Sequence, residues 1–195
     1  MQILPLNALI DVPWKNGGGT TRNIAKGMRR DHVVWTISRA DVAQDGAFSD
    51  FSGMMRVLTV VSGGAMTLDT TSTSLEANLW EPVRFEGALK VHSRLQDGPL
   101  TDLNLMFDPT LCEGDVITHR GPLDQIARRP MQGILAFHVL SGSPMINAAR
   151  LSTGDTALIT ETDAALVLAQ DDALLEISLR YLDQSDAIRL CMAER

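Results

Sequence analysis

The chain has 195 residues, 45% of them hydrophobic and 21% charged, which is enough apolar material to core one large domain or two small fused ones. A net charge of −7 argues against nucleic acid or an anionic membrane as the main partner. Two cysteines, Cys112 and Cys191, make neither a disulfide framework nor a metal cluster. With no signal-peptide pattern and no apolar run near the ~20 residues of a membrane helix, the chain reads as cytoplasmic.

The first notable stretch runs Pro13-Trp14-Lys15-Asn16-Gly17-Gly18-Gly19-Thr20-Thr21-Arg22. Three consecutive glycines are costly to order inside a helix or strand. A hairpin turn accounts for Asn16 and Gly17 but leaves Trp14, Lys15, Gly18 and Gly19 unexplained. The segment therefore reads as backbone pressed close to a ligand. Short strands follow. Residues 33–38 and 57–61 are β-branched, 65–69 alternate, and 89–95 alternate with Leu89, Val91 and Leu95 on one face. Further strands are expected at 134–140, 157–160, 164–169 and 174–182, spaced like those of a sandwich or barrel. Residues 108–131 hold Pro109, Pro122, Pro130 and the pair Arg128-Arg129 and read as a connection, with weak helical turns at 115–117 and 123–126. Val61-Ser62-Gly63-Gly64-Ala65-Met66 matches Leu140-Ser141-Gly142-Ser143-Pro144-Met145 at a separation of 79 residues, so a duplicated small barrel is expected.

The glycine segment fits no known phosphate cradle. Lys15 precedes the glycines, whereas a P-loop needs it after them, and no helix follows to complete a dinucleotide fingerprint. Lys15, Arg22 and Arg56 supply positive charge. Asn104, set in the apolar stretch Leu103 to Phe107, either pairs with a neighbouring loop or points into a cavity, because leaving it unpaired would cost about 1–3 kcal/mol. Asp102 reads as a turn cap and Asp171-Asp172 as a solvated turn. His32, His92, His119 and His138 show no ligand spacing, and no nucleophile elbow occurs, so no metal, cofactor or catalytic residue is assigned.

The opening motif resembles the signature of the HutD/Ves family. The likeness continues through Trp35-Thr36-Ile37-Ser38, residues 45–53, Arg56 and residues 97–106. It departs from the family pattern at Asn23 (an acidic position), at Ala47 and Ser52 (proline positions) and at Met55. The resemblance implies an all-β, cupin-like fold of RmlC-like jelly-roll type, with tandem barrels divided at 1–108 and 109–195. It also implies a non-enzymatic regulator of histidine utilisation that binds a small carboxylate, urocanate or formylglutamate. On that reading Lys15 and Arg56 neutralise the carboxylate, Gly17, Gly18 and Gly19 present backbone N–H groups, and Trp14 and Phe48 form apolar walls. Asn104 adds a neutral hydrogen bond, and Asn16 and Arg22 complete the ligand-binding set. A cupin-type isomerase or hydrolase using the same pocket is the alternative, with His92 the nearest acid–base candidate. Open sheet edges are compatible with a homodimer.

Overall fold

Alternating and continuously apolar runs fold as antiparallel strands throughout the computed structural model, which describes residues 1–182 and 188–192. The strands are β1 (Gln2–Leu4), β2 (Asp11–Pro13), β3 (Gly19–Arg29), β4 (His32–Val42), β5 (Gly46–Ala47), β6 (Met55–Ser62), β7 (Met66–Asp69), β8 (Ser74–Ala77), β9 (Val83–Glu86), β10 (His92–Leu95), β11 (Leu100–Phe107), β12 (Cys112–Arg120), β13 (Leu123–Ala127), β14 (Gly133–Ser141), β15 (Met145–Ile146), β16 (Ala149–Arg150), β17 (Thr156–Ile159), β18 (Ala164–Leu168), β19 (Ala173–Tyr181) and β20 (Arg189–Met192). One 3-10 turn, Leu6–Ala8, is the helical content of the described residues, and no helix there is long and apolar enough to cross a membrane. The fold is all-β, as the strand spacing predicts.

The chain divides into two compact units. One contains residues 10–111 together with β20; the other contains residues 1–9 and the segment from Cys112 through Tyr181. Each unit thus includes a strand from the far end of the chain, which a single cut at 108/109 does not capture. The first unit holds a seven-stranded sheet, with β2-β3-β4-β11-β6-β9 in order and β20 also on β3, and a four-stranded sheet β5-β10-β7-β8. The second unit holds β1-β17-β14-β19-β12 and β13-β18-β15-β16. Its interior is filled by apolar side chains that include Leu135, Phe137, Val139, Leu166 and Leu174. In the first unit, Leu58, Val60, Met66, Leu68 and Phe85 form an apolar cluster, and beside it lies a cavity whose lining includes Arg56, Asp102 and Asn104.

Several elements differ from the sequence reading. Residues 108–131 are not a connection: they carry β12 and β13, and the expected helical turns at 115–117 and 123–126 are strand. Burial along β12 alternates (Cys112, Gly114 and Val116 in; Glu113, Asp115 and Ile117 out), so the polar residues form an outer face. Its prolines fall outside the paired stretches. β3 was obscured by its glycines. A Cβ at Gly27 would lie 2.1 Å from Trp35 Nε1, so the buried indole of Trp35 requires a glycine there. Asp172 is not solvated. It is buried and accepts from the N–H groups of Ser143 and Ala169, each at 2.7 Å. The two matched Ser-Gly turns occupy corresponding places after β6 and β14, with Gly63 and Gly142 both at positive φ (92° and 73°).

Candidate functional site

Strand periodicity builds a polar wall inside the first unit. On β4, Trp35 and Ile37 are buried on one face, while Thr36, Ser38 and Ala40 line a cavity on the other. On β11, Leu103 and Leu105 pack away from the cavity, and Asp102, Asn104 and Met106 line it. The register places Ser38 opposite both Asn23 and Asn104, giving a row of amide and hydroxyl groups across three strands. The cavity encloses about 660 Å3. Trp14, Lys15 and Asn16 border it from the β2–β3 turn, Phe48 and Phe51 from the segment after β5, and Arg56 from β6.

Arg56 is the dominant group. It is 6% exposed, and its guanidinium lies 4.8 Å from the ring centre of Phe48, 5.1 Å from that of Phe85 and 5.4 Å from that of Phe51. A cation over three aromatic faces gains from the ring quadrupoles. Arg56 Nη2 donates to Asn104 Oδ1 at 2.7 Å, and Asn104 Nδ2 donates in turn to Asp102 Oδ1. Arg56 Nε has no hydrogen-bond partner. Burial pushes the guanidinium down to about 10, partly countered by the charge of Asp102. Burial likewise pushes the Asp102 carboxyl up to about 7, against the pull of Arg56 and the bond from Asn104. Arg56 stays charged at neutral pH, while Asp102 titrates there. The site therefore offers a desolvated cation with a free donor, a neutral hydrogen-bonding wall and one carboxyl able to give or take a proton.

The glycine motif is the β2–β3 turn. Gly17 takes φ of +72°, and its N–H donates to Trp14 O at 3.0 Å, while the Gly18 N–H donates to Asn16 Oδ1 at 3.0 Å. The N–H groups of Gly17 and Gly18 are thus satisfied within the turn, and neither residue lines the cavity, nor does Gly19. A Cβ on Gly19 would stand 2.3 Å from Asp41 O and 3.0 Å from the Trp14 ring. What the glycines achieve is placement of Trp14, whose Nε1 donates to Thr21 Oγ1 at 2.7 Å. Gly19→Ala is expected to destabilise the protein by about 1–3 kcal/mol through overpacking against backbone. A thermal melt within 1 °C of wild type would contradict this account of the turn.

Among the residues singled out from sequence, Trp14, Lys15, Asn16, Phe48, Arg56 and Asn104 come together around one cavity. Arg22 does not. Its Nε meets Asp11 at 2.6 Å and its Nη1 meets Asp41 at 2.5 Å, while Asp41 also accepts from Thr101. These bonds tie β2, β3, β4 and β11 together, so Arg22 braces the wall from outside. His92 is exposed and lies off the cavity lining. Asp102, Asn23, Thr36 and Ser38 were missed. Two of the departures from the family pattern, Asn23 and Ala47, line the cavity. One carboxyl beside a guanidinium and amides, with no histidine, is a poor ligand set for a transition metal. Among the described residues no group of three or more His, Cys, Asp or Glu side chains could hold one.

The family model described as HutD matches residues 7–176. An uncharacterised 21.2 kDa protein in the hutC 3' region of Pseudomonas putida is 34% identical over 112 residues, 56% of this chain and 59% of that protein. Protein Ves of Escherichia fergusonii is 35% identical over 108 residues, 53% of this chain and 56% of its own. The matched stretch thus spans little more than half the length of these curated relatives. The solved structure of HutD from Pseudomonas fluorescens SBW25 superposes with a TM-score of 0.78 at 26% identity, covering 92% of this chain and 98% of that one. A cupin 2 conserved barrel domain protein from Leptotrichia buccalis, at 11% identity and a TM-score of 0.56 over 92% of this chain and 96% of its own, shares the fold alone. The architecture is cupin-like.

Proposed function

The chain belongs to the HutD family, and from that premise we propose that it is a binding protein of histidine utilisation that holds a small carboxylate in the Arg56 cavity. The observation that carries this reading is the buried Arg56 guanidinium, facing the cavity with Nε unpartnered and three aromatic rings around it. A carboxylate supplies the missing acceptor and the compensating charge. Lys15, exposed at the cavity border, adds a second and weaker attraction. The Asn23–Ser38–Asn104 row can bond an imidazole or formamide group, and Trp14 and Phe48 flank planar atoms. The naming of the P. putida relative after hutC supports a pathway intermediate, urocanate or formylglutamate, as the ligand. Binding would withdraw the intermediate or report its level.

The expected result is a 1:1 calorimetric isotherm for urocanate or formylglutamate, with histidine binding at least tenfold more weakly because its ammonium would meet Arg56. No heat with either acid, at protein concentrations that resolve a millimolar constant, would end this reading.

One observation favours a second reading. Asp102 lines the cavity, and burial pushes its carboxyl up toward about 7, as a general acid–base catalyst needs. An isomerase or hydrolase would use Asp102 to move a proton on a ligand anchored at Arg56. Turnover of either intermediate by wild-type protein, lost in Asp102→Asn, distinguishes catalysis from binding.

A further inference from the structure

The strand register lays one row of side chains across five strands. Arg56 pairs with Met106, Met106 with Thr36, Thr36 with Lys26, and Lys26 with Cys191. Residues opposite one another in a ladder share a face. The row therefore runs from the Arg56 cavity out to Lys26. Three strand spacings separate Arg56 from Lys26, about 14 Å between their backbones at roughly 4.8 Å per strand.

A second cavity of about 440 Å3 lies at the far end of that row, and Asn23 and Thr36 line both cavities. The edge of β3 is left uncovered beside these shared residues. β2 pairs with Thr20 to Arg22, and β20 pairs with Ala25 to Met28. Neither covers Asn23, and the register with β4 slips between Asn23 and Ala25. The wall is thus interrupted at Asn23, a residue that both cavities share. Lys26 and Arg189 are the charged residues lining the second cavity, both positive, and neither is ion-paired among the described residues. Between them and Arg56 stands Thr36, whose Oγ1 is buried without a hydrogen-bond partner.

We propose that the two cavities form one elongated site for a molecule with an anionic group at each end, one held by Arg56 and the other by Lys26 and Arg189. Thr36 and Asn23 bond its neutral middle. This rests on the reading that Arg56 holds a carboxylate. Lys26 and Arg189 are exposed, so the second anchor is the weaker one.

The test is calorimetry with linear dicarboxylates from succinate to azelate, each beside the monocarboxylate of equal carbon number. Wild-type protein should bind the longer dicarboxylates at least fivefold more tightly than their monocarboxylate matches. The double variant Lys26→Ala, Arg189→Ala should lose that advantage while keeping monocarboxylate affinity within twofold. Monocarboxylate binding without a dicarboxylate advantage at any length, or an advantage that survives in the double variant, overturns the elongated site and leaves the Arg56 reading standing. Failure of every carboxylate to bind removes both.

Discussion

Arg56→Met is expected to weaken carboxylate binding by roughly 100-fold, about 2.7 kcal/mol. The loss is large because the cation is buried. In the cavity it has exchanged water for three ring faces and a single hydrogen bond to Asn104, so an incoming carboxylate meets a charge that solvent does not screen. Methionine keeps the apolar stem against Phe48 and Phe85 and removes the charge. The fold should survive, because Asp102, deprived of its counter-charge, can take up a proton rather than remain an isolated anion. Arg56→Lys should recover part of the affinity, since charge is kept but the planar fork is lost. Lys15→Ala should cost only a few-fold, since Lys15 is exposed at the border. Calorimetry alongside a thermal melt checks the set; Arg56→Met that binds as well as wild type while remaining folded is incompatible with the site.

Carboxylate affinity is also expected to fall as pH rises through about 7, the value to which burial raises Asp102. Below it the neutral acid leaves the Arg56 charge uncompensated and available to ligand. Above it the Asp102 anion satisfies Arg56 through space and repels a second carboxylate. Lys15 and Asp41 are the other charged groups bearing on this pair, and Asp41 adds to the upward push on Asp102. Asp102→Asn should flatten the profile and hold the low-pH affinity to pH 8. The same group sets a stability trend of definite sign. Its folded value lies above its unfolded value near 3.8, so the folded state holds the extra proton between those limits. The contribution is complete below about pH 4 and is lost as pH rises through 7. Urea unfolding from pH 5 to 8 should show that decline in wild type and not in Asp102→Asn. Equal slopes in the two proteins would mean that Asp102 is not the group responsible.

Much of this was legible in the chain, for reasons that can be named. Residues 33–38 and 57–61 announce themselves by β-branched side chains, and both are central strands. The fold class followed from such runs and from the paired Ser-Gly turns. Arg56, Lys15, Trp14, Phe48 and Asn104 were found because each is chemically conspicuous where it stands. Asp102 was misread as a turn cap because the glycine and proline just before it dominate a local view. The signal was nevertheless present: Asp102-Leu103-Asn104-Leu105 alternates, so whatever face Asn104 occupies, Asp102 shares. The same rule applied to Trp35-Thr36-Ile37-Ser38 would have marked Thr36 and Ser38. Arg22 could not be placed from sequence, because its partners Asp11 and Asp41 come from different strands and only their register brings them near. The stretch from Asp108 to Met131 hid β12 and β13, because the prolines and the Arg128-Arg129 pair that flank these strands made it look like a linker.

The interleaving of the chain's far ends has a consequence for biosynthesis. Gly27 pairs with Leu190 and Ala25 with Met192, so one edge of the unit that holds Arg56 is supplied by a segment translated about 160 residues later. A ribosome that has released residues 1–111 has therefore released an unfinished sheet, with β3 lacking a neighbour along the outer edge from Ala25 to Met28. That nascent state presents unpaired N–H and C=O groups just where strand-to-strand aggregation begins. A premature stop before Arg189 should accordingly yield insoluble protein rather than a functional fragment, even though the residues around Arg56 would all have been made.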